Sequence, residues 1–237
     1  MGRHFEVRAR SMASTAAKKS ALYARASKEI YLAAKGGVPD PKSNLNLRSA
    51  IDKFKSMGVT REVIDRAIKK ATGTESIAYI PGRYELIGPG NSFIVVDTLT
   101  DNVNRAISDI KAAIKKVDAS FASVAYNFQE TGVFVFASNG LTQESIEETL
   151  ILNDIDVWEI SLEDNEFQVT VNPLAYGVTR DTLYELGVEE FKINEIRLIP
   201  LSTITLNEEN LVEFQRLLDL LDDVEDVQDV YYNVELD

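Results

Sequence analysis

Four basic residues in the first third of the chain are spaced so that one helix would carry them on one side. Lys18, Arg25, Lys28 and Lys35 fall within roughly 100° of each other at 3.6 residues per turn. Grouped Lys and Arg side chains contact the phosphates of nucleic acid, which supplies affinity without reading the base sequence. The alternative for the same pattern is an ordinary solvated helix face.

Other basic residues extend this candidate nucleic-acid-binding set. They form an arm at the N-terminus, occupy further positions on the first and third helices, and include one residue of the next domain: Arg3, His4, Arg8, Arg10, Lys19, Arg66, Lys69, Lys70 and Arg105. Arg105 follows Asp101, which we expect to be the N-cap of a helix. Arg105 then either assists an anion site at that helix N-terminus or has a structural role alone.

The charge of the chain is divided between its two parts, which favours a polyanionic partner for the first. Residues 1–75 contain 16 Lys and Arg against 7 Asp and Glu, whereas the remainder contains 9 against 31. The formal charge of −13 for the whole chain hides a basic module on an acidic body. Such asymmetry is typical of nucleic-acid binding through one part. We expect the acidic part to shape selectivity or to contact a protein partner.

Residues for catalysis or metal binding are scarce. His4 is the only histidine and there is no cysteine, which excludes thiolate catalysis, disulfides and Cys-ligated zinc. Acidic clusters occur at Glu144–Glu148 and Asp222–Asp226, but neither has the spacing of a calcium loop, so we interpret them as solvated surface. Gly88-Pro89-Gly90 lacks the Lys of a phosphate-binding loop. We therefore predict no enzyme, no metal ion and no cofactor.

The basic module is predicted to be helical throughout. A helix over 14–35 ends at Gly36-Gly37, and two shorter helices over 44–57 and 60–73 end at Gly58 and Gly73. Apolar residues at helical spacing predict the buried faces of the first and third helices, at Leu22, Ala26, Ile30 and Ala33, and at Val63, Ile64, Ala67, Ile68 and Ala71.

After a linker over 74–82, short strands alternate with helices. Residues 133–200 follow the order strand, helix, strand, strand, helix, strand, which is the ferredoxin-like arrangement. The flanking segments supply a second set. The expected fold is a multidomain α+β protein: a helical domain over 1–75, an α/β domain over 83–132 plus 203–237, and a second ferredoxin-like α/β domain over 133–202 inserted in it. Two strands are expected over 124–128 and 133–137, with Gly132 in the turn between them.

Five segments in order resemble the YebC family, and most closely its YeeN-like branch. They are MGR, EIYLAAKGGVPDPKSNLNLRSAI, IDRAIKKATG, RYELIGPG followed by IVVDTLTDNVNR, and VEDVQDVYYNVEL. The resemblance implies three domains, a helical one and two α/β ones. It also implies a probable transcriptional regulator that binds DNA, with translational activation on the ribosome as the alternative described for other members. The chain departs from the family at Glu6 and at Asp118–Ala122, where relatives have a glycine-rich loop.

The expected function is therefore a non-enzymatic, cytoplasmic nucleic-acid-binding regulator. Its ligand is DNA in the transcriptional version, and ribosomal RNA or tRNA on the ribosome in the translational one. A protein-interaction adaptor is the second alternative. No helix groups Asn, Gln and Arg for reading base edges, which favours backbone recognition. No apolar run approaches the roughly 18 residues of a membrane span, and the chain lacks an apolar signal core near its start.

Overall fold

The computed structural model describes residues 16–73 and 77–236. The predicted arm residues Arg3, His4, Arg8 and Arg10 lie outside the described residues. Three parts can be distinguished and are named here: the helical domain, the middle domain and the inserted domain. The α+β multidomain fold expected from the sequence is confirmed by this arrangement.

The helical domain contains α1 (Ala16–Lys35), α2 (Leu45–Ser56) and α3 (Arg61–Ala71). The Asn44 side chain caps α2 by accepting a hydrogen bond from the amide of Leu47, which satisfies one of the unpaired donors of a helix start. Ala26, Ile30, Ile64, Ala67 and Ala71 are buried in one apolar cluster of this domain. The predicted buried faces of the first and third helices are thus confirmed.

The middle domain has a four-stranded antiparallel sheet in the order β3-β1-β2-β8. Its elements are β1 (Ile80–Gly88), β2 (Ser92–Thr100), α4 (Val103–Ile114), β3 (Ser120–Phe121), α7 (Glu208–Asp222) and β8 (Val227–Tyr232). Leu86, Ile94 and Val96 of the sheet pack against Ile110 of α4 and Phe214 of α7. Both helices therefore cover one face of this sheet.

The inserted domain has a second antiparallel sheet in the order β5-β6-β4-β7. Its elements are β4 (Phe128–Ala137), α5 (Gln143–Leu152), β5 (Val157–Glu163), β6 (Glu166–Val171), α6 (Tyr176–Glu185) and β7 (Ile193–Pro200). Phe134 and Phe136 of β4 are buried with Ile146 of α5 and Leu183 of α6. The chain order and strand order are those of the split βαβ arrangement.

The predicted turn at Gly132 is wrong. Gly132 lies inside β4, which runs continuously from Phe128 and so crosses the expected domain boundary between 132 and 133. A Cβ at this position would meet Cγ2 of Val171 at 3.0 Å. The glycine permits close approach of β6 and does not form a turn. Residues 125–127 form a short 3-10 turn in place of the expected strand.

The middle and inserted domains share an apolar contact, whereas the helical domain does not share a cluster with either. Val95 and Tyr231 of the middle sheet pack with Val124, with Phe128 of β4 and with Leu198 of β7. Among the described residues, every member of the apolar cluster of the helical domain lies at or before Tyr79 in the sequence. Several polar side chains of the helical domain contact the other two domains.

Candidate nucleic-acid interface

The N-terminal half of the basic α1 face docks on the middle domain. Lys18 forms an ion pair with Asp219 of α7. Arg25 is 7% exposed, and its Nε donates to the carbonyl oxygen of Val227 at 2.6 Å. Arg25 Nη2 also donates to the carbonyl of Asp222 at 2.8 Å, with the Asp222 carboxylate 3.4 Å away. Both residues were predicted to lie on a phosphate-binding face, but in this arrangement Arg25 binds protein.

Lys28 contacts the same part of the middle domain. We name the segment 219–227, which spans the end of α7 and the start of β8, the α7–β8 junction. Lys28 Nζ lies 2.6 Å from Asp226 Oδ1 and 3.1 Å from the carbonyl of Glu225. Lys28 is 5% exposed and Asp226 is 1% exposed. The interpretation of Asp226 as solvated surface is therefore wrong, because the carboxylate is enclosed by two cations from different domains.

Arg105 is the second cation at Asp226. Its Nε and Nη2 lie 2.9 Å from the two carboxylate oxygens of Asp226, and its Nη2 also lies 2.8 Å from Asp101. Burial alone would raise the pKa of Asp226, but hydrogen bonds from Arg105 and Lys28 outweigh burial and hold this pKa below its ordinary value. Arg105 therefore has a structural role, and its part in nucleic-acid binding stays a prediction.

The expected N-cap at Asp101 is also wrong. Helix α4 begins at Val103, and the Asn102 side chain caps it by accepting from the amide of Arg105 at 3.1 Å. Asp101 instead lies one position before the cap, where its carboxylate pairs with the Arg105 guanidinium. The two polar residues are adjacent in sequence, and only backbone geometry decides which of them caps the helix.

Where the three domains meet, one lysine lies among three carboxylates. Lys53 Nζ of α2 is 3.2 Å from Glu29, 2.9 Å from Glu195 of β7 and 3.8 Å from Asp229 of β8. Burial opposes the charged form of Lys53, but Asp229, Glu195 and Glu29 outweigh burial and raise its pKa well above the ordinary value. These residues line an open cleft of about 480 Å³ that also contacts Tyr231.

Further polar contacts attach α2 to the inserted domain. Asn194 Nδ2 donates to Ser49 Oγ at 3.0 Å, and Arg180 Nη1 donates to Asn46 Oδ1 at 3.2 Å. The guanidinium of Arg48 lies over the ring of Tyr184, 5.6 Å from its centroid. The helical domain is thus fixed to both α/β domains by charged and polar groups.

The remaining predicted cations of α1 and α3 are exposed to solvent. They are Lys35, Arg66, Lys69 and Lys70. Lys35 Nζ is 3.5 Å from the carbonyl of Ala71, so the end of α1 lies beside the last turn of α3, which carries Lys69 and Lys70. We name Lys35, Arg66, Lys69 and Lys70 the distal basic cluster.

Lys19 is exposed as well, but its position differs. Its Nζ lies over the ring of Tyr23 at 5.5 Å from the centroid, on the same helix and one turn away. Tyr31, further along the same helix, is 1% exposed and belongs to the core of the helical domain. Its hydroxyl oxygen accepts from the amide of Ile77 at 2.9 Å.

Sequence reasoning missed the acceptors of the α1 cations and the carboxylates around Lys53 where the three domains meet. A basic face on α1 and an acidic stretch ending α7 are both visible in the sequence, and their opposite charge is the one signal that could have paired them. Lys53 gives no such signal, because its three partners come from three separate segments. Within 16–73 and 77–236, no three or more His, Cys, Asp or Glu residues form a group that could hold a metal ion.

Both parts of the chain match known family models. Residues 3–74 match the model described as the TACO1/YebC protein N-terminal domain. Residues 79–234 match the model described as the TACO1/YebC second and third domain. The boundary between the two matches falls between the end of the helical domain and the start of β1.

Full-length relatives and a solved structure agree with this. A probable transcriptional regulatory protein of Mesoplasma florum is 47% identical, and the alignment covers 100% of both chains. A probable transcriptional regulatory protein of a Marinomonas species is 40% identical over 99% of this chain and 100% of the relative. The crystal structure of a conserved hypothetical protein from Aquifex aeolicus is 27% identical with a TM-score of 0.73, covering 93% of this chain and 91% of that one.

Proposed function

We propose that this chain, which belongs to the TACO1/YebC family, is a non-enzymatic regulatory protein that binds nucleic acid through its helical domain. Full-length relatives are named probable transcriptional regulatory proteins, so the family is one of regulators. We take DNA as the first ligand to test because of those names, and the cytoplasm as the place of action. Ribosomal RNA or tRNA is the alternative ligand.

The observation that carries the proposal is the distal basic cluster. Lys35 ends α1, Lys69 and Lys70 lie in the last turn of the adjacent α3, and Arg66 lies one turn earlier on α3. The acidic residues of α3, Glu62 and Asp65, lie in its first half, where Arg61 pairs with Asp65 at 3.5 Å. The last turn of α3 therefore presents positive charge alone.

The chemistry of this cluster favours contact with the phosphate backbone. The exposed positions of α3 carry Arg66, Lys69 and Lys70 but no Asn or Gln that could read a base edge. Each phosphate neutralised makes the slope of log affinity against log salt more negative by about 0.7–0.9. Four contacts thus correspond to a slope of roughly −3 to −4. Additional contacts by the N-terminal arm would steepen the slope.

The test measures binding of the full chain to labelled duplex DNA and to structured RNA between about 50 and 200 mM salt. The variant R66E/K69E/K70E is compared with K111E/K115E/K116E, which reverses three exposed lysines near the end of α4. Both variants change the net charge equally. Loss of affinity in the first variant alone supports the proposal, and equal effects or a flat salt response contradict it.

A charge-reversal variant also distinguishes the protein-interaction adaptor from the nucleic-acid binder. Lys18, Arg25 and Lys28 are unsuitable for this purpose, because they contact the middle domain. The distal cluster is the better site, because it makes few contacts within the protein. In-cell ultraviolet crosslinking of the wild type and R66E/K69E/K70E, followed by sequencing, then identifies DNA, RNA or neither.

A further inference from the structure

The docked helical domain hides basic groups that nucleic acid would also recognise. We propose that the docking of α1 on the α7–β8 junction is autoinhibitory, because the junction occupies Lys18, Arg25 and Lys28 in the place of phosphates. Nucleic acid and the junction then compete for one basic face, and full affinity requires the helical domain to leave. This inference rests on the proposed function and adds a regulation to it.

The junction offers the acceptors that a phosphate backbone would offer. Asp219, Asp222 and Asp226 supply carboxylates to Lys18, Arg25 and Lys28 respectively. Carboxylate and phosphate oxygens are both anionic acceptors for charge-assisted hydrogen bonds. The three acids lie within eight consecutive residues, and the three cations within three turns of α1, so one acidic segment covers one basic face.

The kind of contact at this interface makes release feasible. The middle and inserted domains are joined by buried Val95, Val124 and Phe128, and separating them would expose apolar surface to water. The helical domain shares no apolar cluster with them in the part of the chain that the structure describes. Another polyanion can take the place of the junction acids, and the exposed Lys18–Asp219 pair weakens as salt rises, whereas the buried contacts of Arg25 and Lys28 are screened much less.

The most buried acid of the junction keeps a partner on release. Asp226 keeps both of its hydrogen bonds from Arg105, which belongs to the middle domain. The carbonyls of Asp222 and Val227 that Arg25 contacts lie at the end of α7 and the start of β8, and they lose a charged donor when α1 leaves. The Asp219 side chain is 64% exposed already.

The open form would present one extended basic surface. Lys18, Arg25 and Lys28 precede Lys35 along α1, and Lys35 already belongs to the distal basic cluster. Docked protein therefore offers nucleic acid the distal basic cluster and Lys19, but not the buried Arg25 and Lys28. Undocked protein offers the length of α1 as well, so nucleic acid itself would favour the open state by its differential affinity.

A reversible crosslink tests this, since the chain contains no cysteine and an introduced pair is unique. The variant K18C/D219C is joined by a bismaleimide whose spacer is cleaved by reductant. Binding of labelled DNA and RNA is then measured before and after cleavage. We expect the locked form to bind about tenfold more weakly than the cleaved form, which corresponds to roughly 1.4 kcal/mol. Equal binding overturns autoinhibition and leaves the proposed function standing. Failure of wild type, locked and cleaved forms to bind overturns both.

A second variant keeps the test independent of the crosslink. D219N/D222N removes two junction charges, and E208Q/E209Q removes two exposed charges at the opposite end of α7. Both variants lose the same negative charge, so general repulsion of nucleic acid changes equally. Autoinhibition predicts that D219N/D222N binds about threefold more tightly than its control, roughly 0.65 kcal/mol. Equal or weaker binding contradicts the proposal.

Discussion

Arg25 and Asp222 are 197 positions apart in the sequence, yet the Arg25 guanidinium caps helix α7 at its last residue, Asp222. Arg25 Nη2 donates to the Asp222 carbonyl at 2.8 Å, and Asp222 is the last residue of α7. The final carbonyls of a helix have no partner within it, and positive charge is favourable there. A side chain of the helical domain therefore caps the C-terminus of a helix in the middle domain.

We predict that Arg25→Met destabilises the end of α7 by about 1–3 kcal/mol, because two carbonyls lose a charged donor. Hydrogen–deuterium exchange of residues 219–227 would measure this locally. Lys19→Met, on the exposed side of the same helix, is the control and should change stability by less than about 0.5 kcal/mol. Unchanged exchange in Arg25→Met would show that the cap contributes nothing.

Asp226→Asn is expected to destabilise the folded protein by about 3 kcal/mol at neutral pH, since it leaves the buried Lys28 facing a neutral amide. The pKa of Asp226 is held below its ordinary value by Arg105 and Lys28 against the effect of burial. Its contribution is therefore complete above the unfolded-state pKa of about 3.9 and is lost as pH falls through the lower folded-state pKa.

The difference between wild type and Asp226→Asn should accordingly narrow below about pH 4. Thermal unfolding followed by circular dichroism across this range measures it. Asp118→Asn, at an exposed position of the middle domain, provides the matched control. A gap that stays constant down to the acid limit would contradict the assigned role of the carboxylate.

The helices could be predicted because their signals are local. Gly36, Gly58 and Gly73 follow α1, α2 and α3 closely, and the apolar spacing of each helix marks its buried side. The basic face of α1 was also visible from spacing. Its partner was not, because the residues that dock on it come some 200 positions later and are distinguished only by charge.

Gly132 shows a different limit of sequence reasoning. Glycine is equally expected in a turn and at a close approach between backbones, and which applies depends on Val171 of the neighbouring strand. The distal basic cluster shows the opposite case. Arg66, Lys69 and Lys70 needed only the period of their own helix, and they are exposed as predicted.

Glu29→Gln should leave stability at neutral pH unchanged or raise it. Burial raises the pKa of Glu29, and the nearby Asp229 and Glu195 raise it further, against the opposing effect of Lys53. Stability from a carboxyl with a raised pKa is present at low pH and is lost as pH rises through the folded-state value. The charged form of Glu29 is therefore unfavourable in this cleft.

Lys53 also lies 2.9 Å from Glu195 and 3.8 Å from Asp229, so two carboxylate partners remain in Glu29→Gln. Thermal midpoints of wild type should fall relative to those of Glu29→Gln as pH rises above the ordinary Glu pKa of about 4.3. Lys53→Met is the contrasting variant, since it leaves three carboxylates without their shared cation, and we expect it to be destabilised at neutral pH. A larger midpoint for wild type at high pH would contradict this sign.

The two domain interfaces should respond differently to salt. At about 1 M salt the screening length falls to roughly 3 Å, which weakens the exposed ion pair of Lys18 with Asp219, whereas the buried contacts of Arg25 and Lys28 are screened much less. The apolar contact of Leu198 and Phe128 with the middle sheet is not weakened by screening. High salt is therefore expected to loosen the helical domain while the two α/β domains stay together.

Energy transfer between paired labels separates these responses, because each cysteine pair introduced would be unique. Ser56→Cys with Lys111→Cys reports the helical and middle domains, and Lys111→Cys with Glu144→Cys reports the middle and inserted domains; all three positions are exposed. The first distance should lengthen or broaden at high salt and the second should not. Leu198→Ala should reverse the pattern by loosening the second pair at low salt, because it removes buried apolar contact. If neither distance responds to salt, the helical domain is held by something other than the ion pairs described above, and its release by a polyanion loses its physical basis.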